Sequence, residues 1–462
     1  MSVLEYVRDS LGNAVVLPIV IALVALILGV KWPKAIRAGV LLGIGFVMLG
    51  VVVNLLIESL APAADGLATK LDLHLQAIDV GFGAVAAIAL GTAVGATTIP
   101  IIFCMNVVML LLRMTKTLNL DIWNFWCYAF SGAVVFKITG DNYLAGVLAS
   151  MTHAVFSLLI ADATASRVQS FFQLPGVSIA HGWATTSVPV VLGLQWILDR
   201  TPGLRDVNLD VDRLQNKLGV AGEPFAIGGI LGIVIGAIGT GEVSSALKLG
   251  ITLAAVMYFL PKVISVFMEA LVPLTEQAQV FFQRRLKGRE AYVGLDSALL
   301  VGHPATVILG VLMVPITLLL AAFLPLNSTL PFGDLAATAF FVAMCAPLMR
   351  GNLFRGLIAG IVIMSGVLLI ASYFAPSITA AAPDAGYALP ESAQGATYIT
   401  ALSAGNWVSY LTSQLGRLGG TWAMGLMFAI VLSAAAAVGF VRHRRERAQL
   451  ATTDPATAEA DA

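Results

Sequence analysis

One stretch of this chain is written twice. Ala35–Pro62, AIRAGVLLGIGFVMLGVVVNLLIESLAP, falls without a gap on Ala246–Pro273, ALKLGITLAAVMYFLPKVISVFMEALVP, when the sequence is shifted by 211 positions. Eight of the 28 pairs are identical, and Gly39/Gly250, Glu58/Glu269 and Pro62/Pro273 share one register. Two apolar helices can match by composition, but not at a glycine, an acid and a proline together. A second match follows at an offset of 210, where Asn142-x-x-x-Gly146 recurs as Asn352-x-x-x-Gly356. The chain therefore reads as two related halves, the pattern to settle before any other.

The doubled stretch is apolar, and so is most of what surrounds it. The 462 residues are 58% hydrophobic and 11% charged, where a soluble domain carries about 25% charged residues. Several runs reach the ~20 apolar residues that cross a bilayer as a helix. The fold class expected is an all-α polytopic membrane protein. A formal net charge of zero offers nothing to nucleic acid. Cys104, Cys127 and Cys345 lie scattered in apolar segments, with neither metal nor disulfide spacing. No metal and no cofactor is expected. Residues 15–30 lack a basic flank and a small-x-small cleavage site, so they read as a first membrane helix and not as a signal peptide.

In order, helices are expected near 13–30, 39–57, 99–112, 122–138 and 143–161, with an amphipathic stretch at 58–78 and a broken or re-entrant element at 79–98. A further interfacial element covers 178–194, and a charged loop covers 199–217. The second half repeats the plan near 224–240, 248–268, 305–323, 333–348 and 355–375, with a broken element at 293–304. A polar loop at 376–416 leads to a last helix at 418–441. This gives a first repeat at 1–162, a re-entrant element and loop at 163–222, a second repeat at 223–375, a loop and last helix at 376–441, and a disordered tail at 442–462. About eleven crossings result, five per half plus one. An odd number per half makes the repeats point opposite ways. Charge agrees: with the first helix running inward, 20 of the 26 Lys and Arg fall on the cytoplasmic side. Duplicated membrane halves with broken helices are the build of a transporter, whose site lies where the repeats meet.

Polar groups inside apolar segments are costly, so each is a candidate for function. Asp79 opens the first broken element. Asp296 lies in the second, with His303 seven residues on, on the same face if the segment is helical. His181 stands in SIAHGWATTS, Asp334 in LPFGDLAA, and Glu223 precedes a helix. Asp79 and Asp296, each in the broken segment of its own half, are expected to face one another. Each has a structural alternative. Asp334 is as readily an N-cap. Glu58, Glu269 and His153 read as structural, and Trp123 and Trp126 as an interfacial belt. The run RRLKGR at Arg284–Arg289 follows from topology. Carboxylates, imidazole and hydroxyls such as that of Thr97 suit a polyol better than an apolar or strongly anionic ligand.

The stretches LDLHLQAIDVG, LDIWNFW, IAHG, GEP, GLDSALLVGH and LPFGDLAATAFFVAM with RGNLFRGLIAG resemble the galactitol-type IIC permease of the phosphoenolpyruvate-dependent sugar phosphotransferase system. The resemblance runs in order from the first helix to about residue 375. It implies a homodimer in the bacterial inner membrane that binds a polyol and carries it in. A cytoplasmic IIB protein, phosphorylated on cysteine and charged by a IIA protein, then phosphorylates it. This chain would hold no phosphorylated residue of its own, so any enzyme role is that of a transport subunit. The resemblance places His181 and Asp296 at substrate, with Asp296 or Asp79 the base for the attacking hydroxyl. It departs at Cys127, where the family carries His, which leaves the polyol open between galactitol and another pentitol or hexitol. The residues by themselves fit a polyol transporter coupled to H⁺ or Na⁺ equally well. An intramembrane hydrolase lacks its motifs, HExxH and GxSxG.

Overall fold

A computed structural model describes residues 29–71, 75–285, 290–383 and 396–453, with isolated positions between 19 and 26. Most of the expected first helix, residues 286–289 of the basic run, the middle of the expected loop at 384–395 and the tail from 454 lie outside the described residues.

Helices dominate. Five of those described are long and apolar enough to cross a membrane: Ala93–Leu111, Tyr143–Phe172, Pro304–Phe323, Leu353–Ala381 and Trp407–Arg445. Large side chains such as Trp32, Ile251, Leu418 and Trp422 stand exposed on helix surfaces. In water such a surface would aggregate; in lipid it is the solvent-facing side. Trp32–Lys70 and Val243–Arg285 hold the doubled stretch. At about 1.5 Å per residue the first is about 58 Å long, twice a bilayer core of about 30 Å. The break expected near 58 is absent, and the helix runs through Pro62 to Lys70. Pro224–Thr240 packs against Val243–Arg285 through glycines. A Cβ on Gly232 would meet the Leu249 carbonyl at 2.7 Å, and one on Gly236 would meet the Ala246 Cα at 2.7 Å. Small residues let backbones approach where lipid offers no hydrophobic drive.

Asn142 caps Tyr143–Phe172 by accepting from the Ala145 N–H, and Asn352 caps Leu353–Ala381 by accepting from the Arg355 N–H. The cap removes an orphan donor at each helix start. Turns with positive φ also recur at nearly constant spacing: Gly29 and Gly241, Arg113 and Leu326, Gly140–Asp141 and Arg350–Gly351.

No strand is expected from the sequence, and the described residues hold six. β1 (Ala77–Asp79), β5 (Thr329–Leu330) and β6 (Tyr398–Thr400) form one parallel sheet in the order β5-β1-β6. β2 (Thr117–Asn119), β4 (Tyr292–Leu295) and β3 (Val177–Ile179) form the other, in the order β2-β4-β3. In each sheet the central strand comes from one half of the chain and its two neighbours come from the other. The sheets satisfy backbone groups where the helices are interrupted, as buried backbone away from water requires.

Several boundaries move for physical reasons. The element at 79–98 is β1, a helix Phe82–Gly91 and the start of Ala93–Leu111. Thr92 breaks the two helices and caps the second through Gly95 N–H at 3.0 Å. The boundary after residue 162 falls inside Tyr143–Phe172, where Ala161, Thr164 and Ala165 are buried with no breaker between them. The helix expected at 333–348 is broken into Leu335–Ala337, Thr338–Phe341 and Cys345–Leu348. The expected loop at 376–416 holds β6 and the start of the helix Trp407–Thr453. Several polar residues of its described part are buried and bonded inside: Asn406 accepts from the Val408 and Ser409 N–H groups, and Ser409 meets Ser131. The same helix carries residues 442–453 of the expected disordered tail.

Candidate functional site

Each sheet delivers polar groups at the C-terminal ends of its strands, and the two sheets deliver them in different states. In the β5-β1-β6 sheet the groups are Asp79, at the end of β1, and Asp334, four residues past β5. Asp79 is fully buried and Asp334 nearly so. Asp79 Oδ1 accepts from the N–H groups of Gly81 (3.0 Å) and Leu402 (3.4 Å), and Oδ2 accepts from those of Phe332 (3.1 Å) and Asp334 (2.8 Å). Asp334 accepts from Phe82 N–H at 2.7 Å with one oxygen and from Ser403 N–H at 2.9 Å with the other. Every carboxylate oxygen of this pair is taken by backbone. Asp334 does not cap the short helix that follows it, as the N-cap alternative expects; it caps the Phe82–Gly91 helix and ties it to the chain after β6.

The β2-β4-β3 sheet ends in Asp121, Asp296 and His181, each one or two residues past its strand. The three each bring one oxygen or nitrogen to within 4.8 Å of the others. This is also the group among the described residues whose spacing admits a cation, where the sequence reading expects no metal. His181 Nδ1 accepts from Trp183 N–H (3.1 Å) and Ala184 N–H (3.2 Å). The neutral ring therefore carries its proton on Nε2, which lies 3.8 Å from Asp296 Oδ1. Asp296 Oδ1 also accepts from Ala298 N–H at 2.9 Å. Asp121 Oδ1 accepts from Asn124 Nδ2 at 2.7 Å, while its Oδ2 is buried and has no hydrogen-bond partner. The Asp296 side chain is 25% exposed and that of His181 11%, so this cluster opens to a cavity or solvent and the other does not. A buried carboxylate oxygen without a donor is costly and calls for an explanation.

The two clusters are neighbours. Trp183 Nε1 donates to the Ser403 carbonyl at 2.9 Å, and Asn406 Nδ2 donates to the Gly182 carbonyl at 3.2 Å. His153 donates to the same Gly182 carbonyl and meets Ser131, the structural role expected for it. Tyr128 donates to the Ala180 carbonyl at 2.8 Å. The backbone on both sides of His181 is thus held by side chains.

The other expected site residues fall apart. Asp79 does not face Asp296; it belongs to the other sheet. His303 does not share a helical face with Asp296, because Gly302 ends the short helix Ala298–Val301. It caps Pro304–Phe323 and stacks against Phe171 and Phe172 at 4.5 and 5.6 Å. Thr97 bonds Tyr143 at 2.7 Å and its own helix. Glu223 stands at the start of Pro224–Thr240 without making a side-chain cap. Cys127 is buried behind the His181 loop, where a Cβ on Gly182 would meet it at 2.8 Å. Trp126 is no interfacial anchor. It is 4% exposed and donates to Asn124, which donates to Asp121. Sequence reasoning missed Asp121 because its motif, DIWNFW, carries two tryptophans that suggest an interface. Spacing held the missing signal: Asp121 lies 213 residues before Asp334, the spacing of the Arg113 and Leu326 turns.

Comparison with known proteins identifies the family. Over 427 residues the chain is 42% identical to a permease IIC component of Escherichia coli (strain K12), covering 92% of this chain and 97% of the relative. It is 39% identical over 384 residues to the galactitol-specific EIIC component of the phosphotransferase system of the same strain, covering 83% and 85%. The family EIIC-GAT, described as the sugar-specific permease component of that system, matches residues 9–392. The chain is an integral membrane protein and belongs to the EIIC-GAT family of phosphotransferase-system sugar permeases.

Proposed function

We propose that this permease binds a sugar alcohol at Asp121, His181 and Asp296 and presents it for phosphorylation by a cytoplasmic IIB partner. The observation that carries the reading is the buried Asp121 Oδ2 without a donor, set within 4.8 Å of His181 and Asp296. A polyol offers what that oxygen lacks, a row of hydroxyl donors. His181, with its proton on Nε2, donates to a substrate oxygen or to Asp296. Asp121 and Asp296 accept from substrate hydroxyls through charge-assisted bonds.

The same reading extends to the phosphoryl step. A substrate hydroxyl oxygen attacks the phosphorus of the IIB phosphocysteine, the P–S bond breaks, and the thiolate leaves. The hydroxyl proton passes to Asp296, the acid with the exposed edge. Asp79, fully taken by four N–H groups, holds the neighbouring sheet. We take Asp334 as its partner in that task, and Thr97, His303, Glu223 and Cys127 as positions outside the contact set. The step needs positioning and a base more than covalent help from the permease.

The two-half architecture is part of the proposal. The exchanged central strands, the repeated caps and the repeated positive-φ turns support two structural repeats. The odd number of expected crossings and the charge distribution support their opposite orientation, eleven crossings in all, in the inner membrane of a bacterium. The homodimer and the IIA protein that charges IIB rest on the family. Galactitol stands in the name of the 39% identical relative, whereas the 42% identical relative names no substrate. The reading therefore stops at a pentitol or hexitol.

The test is reconstitution in proteoliposomes with phosphorylated IIB protein and labelled hexitols. Appearance of hexitol phosphate that depends on the partner is the expected result. Transport of unmodified polyol at full rate without the partner, with a substrate-driven pH or Na⁺ change, would overturn it in favour of an ion-coupled carrier.

A further inference from the structure

The strands that end in Asp121, His181 and Asp296 also begin together, and a buried acid sits at that end. Asp162, on Tyr143–Phe172, accepts from Thr115 Oγ1 (3.1 Å), Lys116 N–H (2.9 Å) and Thr117 Oγ1 (2.8 Å). Its fourth donor comes from the far end of the chain: Arg442 Nη1, at 2.9 Å, with the acid's side chain 4% exposed. Arg442 Nη2 also reaches the Met114 carbonyl at 3.3 Å. One residue on, His443 contacts Arg113. One turn earlier, Gly439 lies so close to the Arg113 carbonyl that any side chain would collide with it. The last helix is thus seated on the 113–117 turn, which feeds β2 directly.

The other half of the chain has the same joint without the charge. Ser372, 210 residues after Asp162, accepts from Ser328 N–H (2.9 Å) and Thr329 N–H (3.1 Å) and meets Thr329 Oγ1 (2.8 Å). These are the residues that begin β5. The neutral joint supports the sheet whose carboxylates are fully satisfied by backbone. The charged joint supports the sheet whose carboxylate is not. A sheet that must hold Asp121 and Asp296 close together, against their mutual repulsion and with one oxygen unpaired, needs the firmer anchor.

We propose that Asp162 and Arg442 form a clamp that positions the substrate site, holding β2, and through its pairing β4, so that Asp121 and Asp296 keep their distance from His181. Neither residue touches substrate. Losing either frees the start of β2 while leaving the neighbouring sheet in place.

The chain carries its own reporter. Cys127 is buried behind the His181 loop, and Cys345 is buried among the broken helices of the second half. With Cys104 replaced by serine, maleimide labelling of the purified protein is read peptide by peptide. Arg442→Gln and Asp162→Asn are expected to speed labelling of Cys127 roughly tenfold, with Cys345 unchanged. Arg442→Lys, which keeps a cation, is expected to restore most of the protection, and Ser372→Ala to leave Cys127 as it was. Equal acceleration at both cysteines means general loosening and overturns the proposal, as does no change at either. The transport arm rests on the permease reading: KM for the polyol rises roughly tenfold with turnover retained. Failure of wild-type protein to make any polyol phosphate would count against that reading, while the labelling result would still decide the clamp.

Discussion

Asp121→Asn and Asp79→Asn exchange the same atoms at two buried carboxylates and should do opposite things. Asp79 accepts four backbone N–H bonds. An amide has one acceptor oxygen, and its NH₂ would point at two of those donors. Each buried group left unsatisfied costs about 1–3 kcal/mol, so Asp79→Asn loses about 2–6 kcal/mol of stability, a large part of what a folded protein has. Asp121 presents one oxygen to Asn124 and one to nothing. Asparagine can keep the first bond and removes a negative charge beside Asp296, so stability holds or rises. What it loses is the charge-assisted bond to substrate, worth about 1.5–3 kcal/mol, or roughly 10- to 150-fold in affinity at about 1.4 kcal/mol per decade. The assay pairs thermal unfolding in detergent with polyol binding by equilibrium dialysis. Asp121→Asn should melt at or above the wild-type temperature and bind at least tenfold more weakly, while Asp79→Asn should melt far lower or fail to accumulate. Wild-type affinity in folded Asp121→Asn would refute the site, and wild-type stability in Asp79→Asn would refute the division of labour between the two sheets.

Gly182→Ala puts a methyl 2.8 Å from Cys127 Cβ and from Tyr128 Cε1, between two residues that cannot both yield. Polyol binding should fall more than tenfold in membrane-inserted protein, read by the same dialysis. Asn142→Ala removes a helix cap and should cost about 1 kcal/mol; Asn352→Ala should cost more, because Asn352 also holds the Val207 carbonyl at 2.9 Å, a difference that paired melting curves will show. Glu290 bonds Lys116 at 2.9 Å, and that bond, with the lysine's charge, holds its carboxyl below the ordinary range. A depressed folded pKa contributes stability above the unfolded value and loses it as pH falls through the folded one. Glu290→Gln should therefore cost under about 0.5 kcal/mol at pH 7, the side chain being 69% exposed, and nothing once pH is taken below the carboxylate range in the same melts.

Much of this was legible in the sequence, for reasons that can be named. Apolar runs and scarce charge dictated membrane helices, since lipid leaves a backbone few other choices. The recurrence of Asn142 and Asn352 pointed to shared geometry, and both cap long helices. His181 and Asp296 stood out as polar groups in apolar surroundings, and they meet. The strands were not legible. Two to four residues carry no period, and their partners lie up to 321 positions away, as Ala77 and Tyr398 do. Nor could spacing separate Asp79 from Asp296, because the difference lies in which amides fold back onto them. Burial misled in the other direction around Asn406 and Ser409, where a polar composition suggested a loop and the hydroxyls are consumed inside. Pro62 carried a break signal that the long helix absorbs.

The two carboxylate pairs lie at matching places in the two sheets and are satisfied differently. Asp121 and Asp334 occupy the same place after the first flanking strand of their sheets, and Asp296 and Asp79 the same place after the central strands. The second flanking strand decides the outcome. After β6 the chain turns the Leu402 and Ser403 amides onto Asp79 and Asp334, closing that pair with fixed donors. After β3 the chain supplies His181, whose Nδ1 is held by two amides and whose Nε2 remains 3.8 Å from Asp296. Donors that backbone supplies in one sheet are missing at Asp121 in the other, and there we propose that a ligand supplies them. On the proposed function the two sheets divide the work: one stays folded when the site is empty, and the other holds polar groups that are satisfied only when it is full. A carboxylate that is content without ligand gains little from binding one, and on the binding role we propose for Asp121 its unmatched oxygen is where the difference lies.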